Sequence, residues 1–244
     1  EAAIRRLTLP VPTLRSRRTR SGLRGPRPDL RATLRVSLRR GGEMPAVMRR
    51  APRVRRPDLV VLCDISGSMS VYSRLILVFL HALTHAPERE WGRVHAFTFG
   101  TRLTNVTRAL GQRDPDAALQ AAGLAARDWS GGTRIAEALE RFNKDWSRRV
   151  LGSGASVLLV TDGLERGDAG VLASQAERLS LSCRRLLWLN PLLRFDGFRP
   201  QAAGVRALLP HVDGLYACHS LERVADLSHA LSGPGLLPDI RQRG

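Results

Sequence analysis

Leu59-Val60-Val61-Leu62-Cys63 is an unbroken apolar run of strand length, followed at once by a loop rich in hydroxyl groups. A strand that is apolar on both faces belongs inside a sheet covered on both sides. Val157-Leu158-Leu159-Val160 is a second run of the same kind. Val94 to Phe99, Leu186 to Leu189 and Leu215 to Cys218 read as further strands, and Leu103 to Val106 as a short edge strand. Between them, Leu75, Ile76, Phe79, Leu80 and Leu83, and then Ile135, Ala138, Leu139 and Phe142, recur at helical spacing. Leu221, Val224, Leu227 and Leu231 mark a closing helix. Buried strands alternating with amphipathic helices predict an α/β fold, a doubly wound, mostly parallel sheet flanked by helices. Such sheets bind ligands at the carboxyl ends of their strands.

The chemistry of the sequence gathers at those ends. The first buried strand runs into Asp64-Ile65-Ser66-Gly67-Ser68, in which a carboxylate and two hydroxyls alternate. These are hard oxygen donors suited to Mg²⁺, or Mn²⁺ in its place. One such loop is also what a helix-capping turn looks like. Two further segments sharpen the reading. Ser130-Gly131-Gly132-Thr133 sets a hydroxyl just before a helix, and Thr161-Asp162-Gly163 sets a carboxylate at the end of the second buried strand. All three fall at strand-to-helix loops on the same predicted sheet edge.

Asp64, Ser66, Ser68, Thr133 and Asp162 resemble the metal-ion-dependent adhesion site of von Willebrand factor A domains in order and spacing. The resemblance implies that the Ser and Thr hydroxyls coordinate the ion directly and that the aspartates bind directly or through water. Arg56 to Asp64, Phe97-Thr98-Phe99-Gly100-Thr101, Trp129 to Ile135, Arg185 to Pro191 and Arg39-Arg40-Gly41-Gly42-Glu43 are similar to the CoxE-like branch of that family. That likeness implies partnership with a MoxR-type AAA+ ATPase in the maturation of a metalloenzyme, with an acidic residue of the ATPase or of its client completing the metal shell. Trp129, Arg134 and Arg166, on or beside the site loops, are the candidate contact rim.

Charge divides the chain. Residues 1–57 hold 17 arginines against Glu1, Asp29 and Glu43, a net of +14, whereas residues 58–244 are nearly balanced at +3. The expected organisation is therefore a basic, Arg/Pro/Gly-rich, extended or partly disordered arm over 1–57, a von Willebrand A-type domain over 58–232 and a tail over 233–244. Within the arm, Asp29 is placed to cap a short helix carrying Leu30, Leu34 and Leu38 on one face and Arg31, Arg35, Arg39 and Arg40 on the other, with Gly41-Gly42 ending it. The arm is a candidate contact for nucleic acid, anionic lipid or an acidic protein, against a solvated arm whose leucine stripe packs on the domain. It contains no aromatic residue for base stacking, which disfavours nucleic acid.

Other chemistry finds little support. There is no GxxxxGK[ST] phosphate loop, no GxSxG elbow, no HExxH pair and no CxxC. A phosphotransfer site built on Asp64 would want a second aspartate where Ser66 stands. Cys63, Cys183 and Cys218 are odd in number and widely spaced, which points to free thiols and a reducing cytoplasm. No apolar run approaches the roughly 18 residues that a membrane span needs, and the first residues carry no signal-peptide pattern. The expectation is a non-enzymatic, Mg²⁺-dependent protein-binding domain. A nucleic-acid or membrane adaptor with a structural metal and a metal-dependent hydrolase are the alternatives.

Overall fold

A computed structural model describes residues 13–44, 46–85, 91–126, 133–152, 154–194 and 202–217. The chain divides into two compact units, one spanning Pro12–Arg56 and the other taking in the chain from Pro57 onward. Trp129, Cys218 and the expected closing helix with Leu221, Val224, Leu227 and Leu231 lie outside the described residues.

The first unit departs from the extended arm expected of its composition. Strands β1 (Leu14–Gly22), β2 (Arg27–Pro28) and β3 (Arg49–Arg55) form an antiparallel sheet in the order β1-β3-β2, joined by helix α1 (Leu30–Arg39). The unit is organised by polar bonds around Asp29. The Asp29 side chain accepts from the Ser21 hydroxyl, from Ala32 N at 3.2 Å and from the Arg50 guanidinium at 2.9 Å. Its backbone N–H donates to Met48 O at 2.7 Å. Thr33 extends the knot, donating to Asp29 O at 2.9 Å and accepting from Met48 N at 2.8 Å. The Arg50 guanidinium first, then the Ser21 hydroxyl, hold the Asp29 carboxyl well below the usual carboxylate range. Gly41 and Gly42 take the positive φ values, +68° and +97°, that end α1 as expected.

The second unit is the sheet that the apolar runs predicted. Strands β4 (Leu59–Asp64), β5 (Val94–Phe99), β6 (Leu103–Asn105), β7 (Ser156–Val160), β8 (Arg185–Asn190) and β9 (Gly214–Ala217) lie in the order β6-β5-β4-β7-β8-β9, with β6 antiparallel. Helices α2 (Ser70–His85), α3 (Thr107–Leu110), α4 (Pro115–Ala125), α5 (Ile135–Asp145), α6 (Ser147–Val150), α7 (Ala169–Ser182) and α8 (Ala203–Leu208) connect them. The sequence pattern had not marked α4 or α7. Their helical faces are alanine-rich, and their legible signals are the caps, Asp114 and Asp168, whose carboxylates accept from the first-turn amides.

The pleat sorts the apolar runs onto two faces. Val60, Leu62, Phe97, Val157, Leu159 and Trp188 pack with α5, α7 and α8, and Leu59, Val61, Cys63, Leu158 and Val160 pack with α2. Phe97 meets Phe142 of α5 edge-on at 5.3 Å and Trp146 at 5.1 Å, which seats α5 on the sheet. Because β4 pairs with β5 on one side and β7 on the other, the winding reverses between β4 and β7. The carboxyl ends of those two strands therefore form the crevice in which this architecture binds its ligands. Cys63 and Cys183 are free thiols, and among the described residues no helix is long and apolar enough to cross a membrane.

Candidate metal centre

Asp64 is the last residue of β4, and Asp162 follows β7 by two residues. The register sets Cys63 opposite Val160, so the two chains leave the sheet side by side at the switch point. Ile65 N donates to Phe99 O at 2.8 Å, which carries the β4 backbone one residue past the strand before the loop turns. Asp64 Oδ1 accepts from Ser66 N at 2.9 Å and so shapes that turn. Asp64 Oδ2 accepts from the Thr161 hydroxyl at 2.8 Å. Asp64 is fully buried, and desolvation, reinforced by the neighbouring Asp162 charge, pushes its carboxyl up to about 6 against the hydrogen bonds from Ser66 and Thr161.

The serines join the two aspartates. Ser66 Oγ and Ser68 Oγ lie 3.3 Å apart, and Ser68 Oγ donates to Asp162 Oδ2 at 2.8 Å. Asp162 Oδ1 accepts from Leu164 N at 2.9 Å. Thr133 is buried just before α5 and lines, with Ser66, Gly67, Ser68, Glu165 and Arg166, an open hollow of about 400 Å³. The structure thus brings all five candidate ligands to one end of the sheet, four of them linked by hydrogen bonds and the fifth lining the same hollow. The donor set is two carboxylates and three hydroxyls, the hard-oxygen chemistry of a magnesium-sized dication. Among the described residues no cluster of three or more His, Cys, Asp or Glu side chains is placed to hold a metal, so the two carboxylates would be supplemented here by hydroxyls or water.

Several supporting residues had not been singled out from the sequence. Besides donating to Asp64, Thr161 accepts from Gly163 N through its hydroxyl at 3.2 Å, and its carbonyl accepts from Trp188 Nε1 at 2.9 Å. Asn190 Nδ2 donates to the Asp162 carbonyl at 3.1 Å. Both bonds come from β8, so the neighbouring strand sets the path of the Asp162 loop. Glu165 bridges to the third segment. Its Oε2 accepts from Ala136 N at 2.8 Å, in the first turn of α5, while Oε1 accepts from Gly167 N at 2.6 Å. The N-cap residue of α5, Arg134, makes no side-chain cap bond, and Glu165 fills that role from the adjoining loop.

Of the expected rim, Arg166 is exposed at the hollow. Arg134 points into an exposed ion pair with Glu137 at 2.8 Å and does not line the hollow. It is anchored there by its i,i+3 position on the first turn of α5. Trp129 lies outside the described residues.

Doubly wound topology, a reversal between β4 and β7 and this five-residue oxygen site at that reversal define a protein of the von Willebrand factor A class. The chain belongs to the family of VWA domain containing CoxE-like proteins, whose profile matches residues 1–224. No curated protein matches the sequence. Among solved structures, the fold is similar to a von Willebrand factor type A protein from Catenulispora acidiphila, at 16% identity and a TM-score of 0.51 over 75% of this chain and 43% of that one. It is also similar to an aerotolerance-related membrane protein from Bacteroides fragilis, at 15% identity and a TM-score of 0.47 over 72% of this chain and 96% of that one. A third is proximal thread matrix protein 1 from the mussel byssus with a zinc-occupied MIDAS motif, at 13% identity and a TM-score of 0.46 over 72% of this chain and 47% of that one. This chain therefore spans less than half the length of two of these three proteins.

Proposed function

We propose that this protein is a Mg²⁺-dependent protein-binding adaptor rather than an enzyme. The observation that carries the reading is the linked set at the switch point: Ser68 Oγ on Asp162 Oδ2 at 2.8 Å, Ser66 Oγ beside Ser68 Oγ, and Thr133 across a hollow open to solvent. Asp64, Ser66, Ser68, Thr133 and Asp162 would hold the ion. Mn²⁺ has the same preference for oxygen donors and would substitute. Bound there, the dication supplies a positive centre to which a partner's carboxylate can be joined. Two aspartates balance its charge and the three hydroxyls are neutral, so an external carboxylate adds no excess negative charge. Arg166 at the mouth attracts an acidic surface toward it. Among the described residues that line the hollow, the carboxylate apart from these ligands is Glu165, which is spent on two backbone amides.

The partner proposed from CoxE-like membership is a MoxR-type AAA+ ATPase or the metalloenzyme it remodels, in the cytoplasm. This sequence has no nucleotide loop of its own, so energy for remodelling would come from that partner. Calorimetric titration of Mg²⁺ and Mn²⁺ into EDTA-stripped protein tests the site, with one ion per chain expected and at least a tenfold loss of affinity in Asp64→Ala and Thr133→Ala. Co-purification with the ATPase, with and without EDTA, tests the partner. Binding that survives both EDTA and the two substitutions overturns the adaptor reading.

A further inference from the structure

The Pro12–Arg56 unit is built inside out. Its buried side chains among the described residues are Asp29, Thr33 and Ser37, and none of its described hydrophobic residues is buried. Helix α1 turns Thr33 and Ser37 inward, while Leu30, Leu34 and Leu38 stand 72%, 64% and 71% exposed. The rest of the unit therefore leaves the leucine stripe uncovered. Thr33 is held on the inner side because its hydroxyl accepts from Met48 N at 2.8 Å, a contact that leucine cannot make.

At about 100° per residue, the leucine ridge is flanked along its length by a second ridge of Arg31, Arg35 and Arg39. All three arginines are exposed, and none forms an ion pair among the described residues. Leu23 and Met44 are similarly exposed elsewhere in the unit. The unit carries fifteen arginines against Asp29 and Glu43, and Asp29 is already paired with Arg50.

We propose that this face of α1 docks on an anionic phospholipid surface, with the leucines entering the headgroup–acyl boundary and the adjacent arginines holding lipid phosphates. Charge complementarity selects the occupant. A second copy of the chain would bring two strongly cationic faces together. Nucleic acid would satisfy the arginines but leave the leucines in water, and no aromatic residue is present to stack on bases. A protein groove asks for anchors gathered into one shape, commonly aromatic ones. Here the exposed apolar residues of α1 form one aliphatic ridge with arginines along its side and no aromatic anchor. A fluid anionic surface accepts that distribution, because long basic side chains reach its phosphates while neighbouring apolar groups submerge. Guanidinium also pairs with phosphate in two-pronged fashion. This contact is independent of the metal centre.

The test is flotation of the full chain with vesicles of phosphatidylcholine alone or with phosphatidylglycerol at about a third of the lipid, in EDTA at roughly physiological salt. The chain should float with the anionic vesicles and at least tenfold less with the neutral ones. The triple variant Leu30→Ser, Leu34→Ser, Leu38→Ser should lose tenfold or more in vesicle affinity, and Arg31→Gln, Arg35→Gln, Arg39→Gln should lose the preference for anionic lipid. Asp64→Ala should float like the wild type, which separates this contact from the metal-dependent one. Backbone hydrogen exchange across β1 and β3 verifies that the unit stays folded in each variant, and Leu34→Ala alone provides a milder change in the same direction. The proposal is overturned by absence of flotation, or by a leucine variant that binds as tightly as the wild type, which would mean charge attraction alone. It is likewise overturned if the leucine variant keeps vesicle binding but loses a protein partner, or if nucleic acid binds the wild type and leucine variant equally and displaces the vesicles.

Discussion

Glu165 Oε2 accepts the backbone N–H of Ala136 at 2.8 Å, across a separation of 29 residues, and so ties the loop that carries Asp162 to the helix that begins just after Thr133. Two of the three segments of the candidate metal centre are thereby coupled through one carboxylate that is not itself among the proposed ligands. Glu165→Ala should cost about 1 kcal/mol of stability, the usual effect of losing a helix cap. It should also weaken Mg²⁺ several-fold, because the position of Thr133 is no longer set by the Asp162 loop. Glu165→Gln keeps an acceptor oxygen and should lose less of both. Denaturant unfolding and calorimetric titration of the two variants check the pair of effects.

The buried Asp64 carboxyl gives the metal-free protein a distinctive pH profile. Its folded value is raised from 3.8 to about 6, so the folded chain holds this proton more tightly than the unfolded chain does. The contribution is present below the unfolded value and is lost as pH rises through about 6, amounting to about 3 kcal/mol in all. Unfolding midpoints measured in EDTA should therefore carry a falling component between about pH 4 and about pH 7. Asp64→Asn, which cannot ionise, should remove that component. Mg²⁺ favours the carboxylate, so its affinity should rise over the same window. Midpoints in EDTA with the same pH dependence in wild type and variant would count against this assignment.

Removing the metal should leave the fold standing. The candidate ligands sit at the end of an apolar sheet whose central residues, Leu62, Leu158 and Leu159, are fully buried between the flanking helices. Leu159→Ala should cost roughly 2–5 kcal/mol by opening a cavity in the core, whereas EDTA or Asp64→Ala should preserve the far-UV circular dichroism and cost less. Cooperative unfolding on chelation alone would show that the ion is part of the core structure.

Gly163 is the position at which the Asp162 loop should tolerate change least. Its φ is +79°, in the left-handed region. A Cβ there would lie 2.8 Å from Trp188 Cζ2 and 3.0 Å from Val205 Cγ2. Gly163→Ala combines an unfavourable backbone with overpacking, and about 2 kcal/mol or more of destabilisation is expected. The displaced indole would also slacken its bond to the Thr161 carbonyl, so metal affinity should fall together with stability. Thermal unfolding and Mg²⁺ titration of the same sample test both.

By itself the sequence determined the strands and singled out the candidate site residues for a simple reason: both are written in short-range pattern. Leu59 to Cys63 and Val157 to Val160 are apolar at every position, which only a doubly covered strand explains, and Asp64, Ser66 and Ser68 alternate within one loop. What tertiary structure decided were the relations between distant segments. That Thr161 donates to Asp64, that Trp188 and Asn190 hold the Asp162 loop and that Glu165 caps α5 depend on which strands are neighbours and in what register. Helices α4 and α7 were illegible because alanine faces give a weak periodic signal. The basic segment shows the same limit most sharply. Its composition argued for an extended arm, yet one buried aspartate with Ser21, Thr33 and Arg50 around it gathers the segment into a sheet and helix. Periodicity placed Leu30, Leu34 and Leu38 on one face of α1, but a periodic stripe does not say whether that face turns inward. The contact of Met48 N with the Thr33 hydroxyl turned the neighbouring face inward and left the leucines exposed.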